Sequence, residues 1–253
     1  MTSVVRIGLL GGTLDPIHLG HLETAGAARR ALDLDRVYVL PSHVPPHRSQ
    51  QPVASGCHRF AMTALAVNGV DGLAASDVEL RTPGPSYTAD TLSRFRERSG
   101  LSPAQIFFIT GADAFAEIET WYRYPEVLDL AHFVAVSRPG FSSESLREAL
   151  PVLSSRMISA TADESRTANH DPSTSSGSSR ATSRDEPRMD SPSIFLVDAP
   201  TPDVSSTAIR RRLAAGEPIS GLVPAAVERH IVQHGLYTEG AGPLAADHLH
   251  GEN

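Results

Sequence analysis

The chain has 253 residues and a formal net charge of −7, from 22 lysines and arginines against 29 aspartates and glutamates. This balance argues against a duplex nucleic acid as partner, because such proteins present a basic surface. The one cysteine, Cys57, excludes an intramolecular disulfide and argues against a cysteine-based zinc site, which fits a reducing cytoplasm. The N-terminus has no secretory pattern and no apolar run reaches about 18 residues, so we expect a cytoplasmic protein without a membrane partner.

Predicted elements alternate along the chain: short apolar runs are separated by longer amphipathic stretches. This order predicts an α/β fold, a single domain with a Rossmann-like, doubly wound, mostly parallel sheet and a helical C-terminal part. The predicted strands are 4–10, 37–40, 73–75, 105–110, 133–137 and 194–197. The predicted helices are 19–32, 60–67, 87–98, 206–215 and 224–234.

Two segments lack this pattern. In residues 154–193, 16 of 40 residues are serine or threonine, and the large apolar residues are Met157, Ile158 and Met189 alone. Such a segment buries too little surface to offset the entropy of ordering it. We therefore predict a nucleotide-binding domain at 1–238 that is interrupted by a disordered insert at 154–193, with a disordered tail at 239–253.

The first motif follows the first predicted strand and runs from Gly11 to His21, with the sequence GGTLDPIHLGH. Paired glycines let the backbone turn sharply and approach a ligand closely. A helix that begins just after them offers unpaired N–H groups and the positive end of its dipole, which suits a phosphate. His18 and His21 are three residues apart, so both imidazoles can face one phosphate. The alternatives are that the histidines pack or cap the helix, or form a metal pair.

A second motif, VSSTAIR at 204–210, opens a later predicted helix. Either Ser205 or Ser206 can cap that helix. Arg210 lies four residues past Ser206, on the same face, and its guanidinium suits bidentate contact with phosphate. Taken alone, the segment is more typical of an ordinary helix start with a solvated face, and the first motif is what favours a functional interpretation.

Four further segments bear on the function. Gly111 ends a predicted strand, where ligands of open α/β sheets bind, and Asp113 beyond it suits a ribose hydroxyl. Trp121, the only tryptophan, offers a flat ring for stacking on a pyridine, with core packing as the alternative. The remaining segments read GPSYTADTL at 84–92 and PPHR at 45–48.

Together these segments resemble bacterial nicotinate-nucleotide adenylyltransferases of the HxGH nucleotidyltransferase superfamily. The first motif is similar to the superfamily's GGTFDPxHxGH, with Leu14 in place of phenylalanine, and 204–210 is similar to ISSTxIR, with Val204 in place of isoleucine. The segments at 84–92, 108–115, 121–122 and 45–48 resemble GPSYTxDTL, FIxGxDxF, a downstream tryptophan and PPHK, with Arg48 in place of lysine. The main departure is the insert.

The resemblance implies transfer of the adenylyl group of ATP to nicotinate mononucleotide, which gives nicotinate adenine dinucleotide and pyrophosphate in NAD biosynthesis. It implies Mg²⁺ bound mainly through the ATP phosphates, and no protein metal site. The implied catalytic residues are His18, His21 and Arg210. The implied ATP-binding residues are Gly11, Gly12, Thr13, His18, His21, Gly111, Asp113, Ser206, Thr207 and Arg210. The implied acceptor-binding residues are Thr88, Trp121, Tyr122, His47, Arg48 and Arg138.

This chemistry needs no protein nucleophile, because the acceptor phosphate is already anionic and can attack the α-phosphorus of ATP directly. The protein then supplies alignment and neutralisation of charge. Two alternatives stay open: another member of the superfamily, such as a phosphopantetheine adenylyltransferase or a cytidylyltransferase, and a non-catalytic nucleotide-binding module. The sequence leaves open whether the chain forms a homo-oligomer.

Overall fold

The protein folds around one parallel sheet. The computed structural model describes residues 4–46, 52–160 and 191–238. Its seven strands are in the order β3-β2-β1-β4-β5-β7-β6, and every neighbouring pair is parallel. The strands are β1 (Ile7–Gly12), β2 (Arg36–Pro41), β3 (Leu73–Ala75), β4 (Ile106–Gly111), β5 (His132–Val136), β6 (Met157–Ala160) and β7 (Ile194–Val197). This confirms the predicted α/β class and the parallel sheet.

Helices join the strands and cover the sheet. Their bounds are α1 (Leu19–Leu32), α2 (Gly56–Val67), α3 (Thr88–Ser99), α4 (Ala112–Phe115), α5 (Ser143–Ala149), α6 (Ser206–Ala214) and α7 (Ala225–Gln233). Short 3-10 turns lie at Pro103–Gln105, Ile118–Thr120, Glu126–Asp129 and Pro151–Arg156. Within the described ranges, no helix is long and apolar enough to cross a membrane.

Strand β4 shows that the sheet is covered on both faces. All six of its residues are buried, and successive side chains enter opposite apolar clusters. Phe107 and Ile109 belong to one cluster, while Ile106 and Phe108 belong to the other. A strand covered on both faces reads as a continuous apolar run, as parallel strands do.

The sheet order reverses between β1 and β4. Successive strands are added outward from β1 to β2 and β3 on one side, and from β4 to β5 on the other. The chain therefore leaves the carboxyl ends of these two central strands in opposite directions and opens a crevice between them. Ligands of doubly wound sheets bind at this switch point.

One boundary prediction was wrong. Residues 157–160, inside the predicted insert, form strand β6, and a 3-10 turn precedes it. Met157 pairs with Ile194 and is buried, so the main chain of β7 supplies the order that the polar sequence does not indicate. Helix α5, Ser143–Ala149, was not predicted either. Residues 161–190 of the predicted insert and the predicted tail at 239–253 lie outside the described residues.

Candidate active site

A cleft of about 360 Å³ opens at the carboxyl ends of β1 and β4. Every predicted site residue within the described ranges lines it. These residues are Gly11, Gly12, Thr13, His18, His21, Thr88, Gly111, Asp113, Trp121, Tyr122, Arg138, Ser206, Thr207 and Arg210. The predicted acceptor residues His47 and Arg48 lie outside the described residues, and Pro45 and Pro46 just before them line the cleft.

The glycines of the first motif allow close approach. A Cβ on Gly11 would lie 3.3 Å from the ring of Phe108 on β4, and one on Gly20 would lie 3.1 Å from Nδ1 and Cε1 of His18. Both distances are shorter than ordinary carbon contacts. Gly11 thus lets the end of β1 lie against the Phe108 ring of the neighbouring strand, and Gly20 leaves room for the His18 ring.

His18 and His21 occupy different environments although their ring centroids are 3.7 Å apart. His18 is the N-cap of α1 and only 2% exposed. Burial, and to a lesser degree the positive charge of Arg138, lower the pKa of His18 from 6.5 to about 4. In the ligand-free cleft His18 is therefore uncharged near neutral pH and carries one ring N–H rather than two.

The main chain fixes the orientation of His21. The backbone N–H of His18 donates to Nδ1 of His21 across 3.2 Å, as the side chain at N3 does in a capping box. Since Nδ1 accepts, the neutral His21 ring carries its proton on Nε2. His21 thus takes part in capping the helix, as the alternative interpretation held, and it also lines the cleft.

The second motif meets the first. Ser206 Oγ donates to the carbonyl of Pro16 across 2.9 Å, and Arg210 Nη1 donates to the carbonyl of Asp15 across 2.6 Å. Ser205, not Ser206, caps α6, since its Oγ accepts from Ala208 N at 3.1 Å. The start of α6 is thereby fixed beside the start of α1, and both helix N-termini border one cleft.

The opposite wall joins two residues that the sequence assigned to different substrates. Arg138 Nε lies 3.5 Å from Asp113 Oδ1. A Cβ on Gly111, at the end of β4, would lie 2.6 Å from Arg138 Nε, so the ion pair needs a glycine beneath it. Arg138 follows β5 and Asp113 follows β4, which places the pair at the boundary between the two predicted substrate regions.

The far end of the cleft is aromatic and polar. Thr88 is the first residue of α3, whose N-cap Tyr87 makes no side-chain capping bond. The ring of Tyr87 lies 4.4 Å from that of Tyr122, which is 48% exposed. Trp121 contacts the core edge-on, with its centroid 6.1 Å from Phe108. Trp121 therefore packs against the core and also lines the cleft, and its stacking on a pyridine stays a prediction.

Sequence reasoning missed the arginine that supports the cleft from behind. Arg59 is 2% exposed and donates to the carbonyls of Thr13 at 2.9 Å, Ser42 at 2.5 Å and Ala54 at 3.2 Å. It thus ties the first motif to the ends of two other segments. The only signal in the sequence is an arginine on the apolar face of α2.

Glu79 is a second residue that the sequence did not indicate. It is 5% exposed, lines the cleft and accepts from Thr91 Oγ1 across 2.8 Å. Burial raises its pKa, against the hydrogen bonds from Thr91 and Ser86. A buried carboxyl that contacts the first turn of α3 through Thr91 has no counterpart in the quoted motifs.

The described part of the chain contains no group of three histidines, cysteines or carboxylates arranged to hold a metal ion. The cleft instead offers donors for anions: two helix N-termini, two imidazoles and two arginines. This set suits a polyphosphate.

Comparisons with known proteins agree with this geometry. The cytidylyltransferase-like family model matches residues 9–212. Curated relatives include the probable nicotinate-nucleotide adenylyltransferases of Moorella thermoacetica, 38% identical over 94% of each chain, and of Pseudomonas syringae pv. tomato, 38% identical over 92% of this chain and 93% of that one.

Solved structures share the fold. The nicotinic acid mononucleotide adenylyltransferase of Plasmodium falciparum, in complex with NaAD, superposes with a TM-score of 0.64 at 16% identity, over 92% of this chain and 97% of that one. Since identity to the curated relatives is much higher and extends over nearly the whole chain, the chain belongs to the nicotinate-nucleotide adenylyltransferase family, within the cytidylyltransferase-like group.

Proposed function

We propose that this protein transfers the adenylyl group of ATP to nicotinate mononucleotide. One observation carries the proposal: the two sequence motifs meet at one cleft, where Arg210 lies within 2.6 Å of the carbonyl of Asp15 and the rings of His18 and His21 lie together. The Thr88 and Trp121 region continues the same cleft and gives a second substrate a place beside the first.

The reaction needs alignment more than proton transfer. An oxygen of the acceptor phosphate forms a bond to the α-phosphorus of ATP. The bond from that phosphorus to the bridging oxygen breaks, and the electron pair leaves with pyrophosphate. Both reacting groups are anions, so donors that neutralise their charge accelerate the step.

The cleft residues divide between the two substrates. We assign the transferring and leaving phosphates to His18 and His21, and the β and γ phosphates to Arg210, with Ser206 and Thr207 on the same helix turn. The adenosine side falls to the end of β1 at Gly11 and Gly12 and to Thr13 after it, together with Gly111 and Asp113. The acceptor side falls to Thr88, Trp121, Tyr122 and Arg138. Mg²⁺ enters as the ATP complex, held by phosphate oxygens as this ion usually is at such sites.

The decisive experiment mixes the protein with ATP, Mg²⁺ and nicotinate mononucleotide and measures dinucleotide and pyrophosphate. We expect the two products to appear in equal amounts. A parallel set of reactions offers phosphopantetheine, or CTP in place of ATP. Faster pyrophosphate release in one of those reactions would assign the protein to another branch of the superfamily, and ATP binding without turnover on any acceptor would make it a binding module.

A further inference from the structure

Asp15, in the loop between β1 and α1, is a buried carboxylate with three neutral donors. It is 2% exposed. Its Oδ2 accepts from the backbone of Val53 at 2.8 Å, and its Oδ1 accepts from the backbone of Ala54 at 3.1 Å and from Tyr237 Oη at 2.7 Å. These three donors stabilise the buried negative charge, although Oδ2 accepts only one of them and keeps further acceptor capacity.

Arg210 lies next to this carboxylate but does not form a hydrogen bond with it. The guanidinium is 3.9 Å from Asp15 Oδ2, beyond hydrogen-bond distance, and donates instead to the carbonyl of Asp15. Its remaining contact is a long one, 3.4 Å to Thr207 Oγ1. The Arg210 side chain is 23% exposed and lines the cleft, so its charge is directed at whatever anion enters there.

We propose that Tyr237 is a positioning residue: its hydroxyl stabilises the charge of the Asp15 carboxylate through Oδ1, which weakens the attraction of Oδ2 for Arg210 and leaves the guanidinium available to the phosphates of ATP. The inference rests on the proposed function, because it assumes that Arg210 holds those phosphates. Tyr237 is well placed for this, since it is 6% exposed and belongs to the apolar cluster behind α1. Burial and the nearby Asp15 raise its pKa, so the hydroxyl stays protonated and remains a donor.

Tyr237→Phe tests this with the ring left in place. Without the hydroxyl, Oδ1 keeps one donor, and the carboxylate gains by pairing directly with Arg210. We expect kcat/KM for ATP to fall about tenfold, the effect of losing one hydrogen bond to a charged group. The KM for nicotinate mononucleotide should stay within about twofold, since Arg210 is assigned to ATP alone. The matched control is Tyr38→Phe on β2, whose ring packs 6.0 Å from Phe95, and it should behave as wild type.

A double-mutant cycle separates positioning from general support of the fold. In an Arg210→Ala background, Tyr237→Phe should leave ATP affinity unchanged, because the residue through which it acts is gone. An equal loss in both backgrounds would make Tyr237 a purely structural residue and overturn the proposal, as would wild-type kcat/KM in the single variant. Wild-type protein without turnover would refute the proposed function instead. Calorimetric ATP affinities of the same four proteins would then still decide the role of Tyr237.

Discussion

The backbone N–H of His18 donates to Nδ1 of His21 across 3.2 Å, so the N-cap of α1 also fixes the orientation of a site residue. The cap leaves only Nε2 of His21 to carry the ring proton. His18, by contrast, is held by burial, and Gly20 is small enough to admit its ring. The two imidazoles therefore contribute for different physical reasons and can be tested separately.

Replacing either histidine with alanine should lower kcat by about 10²–10³, the usual effect of losing one preorganised donor to developing charge. Steady-state kinetics with both substrates saturating measure this.

His21→Asn and His21→Gln separate the two roles of His21. The amide oxygen of asparagine can accept from the His18 N–H as Nδ1 does, but it does not reach the position of Nε2. Glutamine is a usual residue at this position of a capping box and can also accept from that N–H, so it is a second variant that keeps the cap without the ring. We expect the asparagine variant to stay folded and to be as slow as alanine, and a near-normal kcat in it would mean that the cap is all that His21 supplies.

The buried His18 ring should make stability depend on pH. Its pKa is lowered from 6.5 to about 4, so between these values the unfolded chain binds a proton that the folded protein does not. The stability that His18 contributes is thus complete above about pH 6.5 and is lost progressively as the pH falls toward 4.

Urea unfolding at pH 7, 6 and 5 measures this effect. His18→Asn keeps a good N-cap and removes the titrating ring, so its free energy of unfolding should fall less steeply than that of wild type. His132 shares the lowered pKa of about 4 and stays in both proteins, which makes it an internal reference. If the free energy of unfolding fell equally with pH in the two proteins, the lowered pKa of His18 would not be its cause. An NMR titration of His18 near pH 6.5 in the ligand-free protein would contradict the assignment as well.

Trp121→Ala should raise the KM for nicotinate mononucleotide about tenfold or more and hardly change that for ATP, since stacking on an aromatic ring is worth roughly 1–3 kcal/mol per base. Initial rates with each substrate varied in turn measure the split. Because Trp121 also contacts Phe108 and Phe133, the melting temperature should fall as well. Trp121→Phe keeps a ring and should restore most of the acceptor affinity and most of the melting temperature. An equal rise in KM for both substrates in Trp121→Ala would leave core packing as the only role of Trp121.

Nicotinate mononucleotide should be preferred over nicotinamide mononucleotide by at least about tenfold in kcat/KM. The candidate contacts at Thr88 and Tyr122 are hydrogen-bond donors, and the start of α3 presents uncapped N–H groups beside them. A carboxylate accepts from all of these, while a carboxamide turns an NH₂ group toward a donor and leaves both unpaired, which costs roughly 1–3 kcal/mol. Equal kcat/KM values for the two acceptors would contradict the assignment of Thr88 and Tyr122 to the carboxylate. They would not contradict the assignment of adenylyl transfer.

Replacing residues 161–190 with a short glycine-serine linker should leave kcat and KM within a few-fold. The cost of closing a loop changes slowly with length, so the free energy of unfolding should shift by only about 1 kcal/mol. Thermal unfolding and steady-state kinetics test this. The contrasting deletion, 154–193, also removes β6, which pairs along β7, and should lower the melting temperature markedly. Loss of activity in the shorter, folded deletion would give the segment a part in the site.

Local sequence determined most of the elements and the chemistry of the two motifs. The bounds of α1, β3 and β7 agree with those predicted, because short-range apolar patterns act within one segment. The phosphate-binding character of the first motif is equally local, since a helix start that follows a glycine-rich strand end supplies the donors by itself.

Tertiary structure decided everything that depends on main-chain atoms from distant segments. Ser206 reaches the carbonyl of Pro16, and Arg210 reaches the carbonyl of Asp15 across 195 residues of sequence. Arg59 donates hydrogen bonds to carbonyls of three loops. Strand β6 pairs with the edge of β7 although the sequence around it is polar. Carbonyls and N–H groups are the same at every position, so no side-chain pattern could have indicated which of them would converge on these residues.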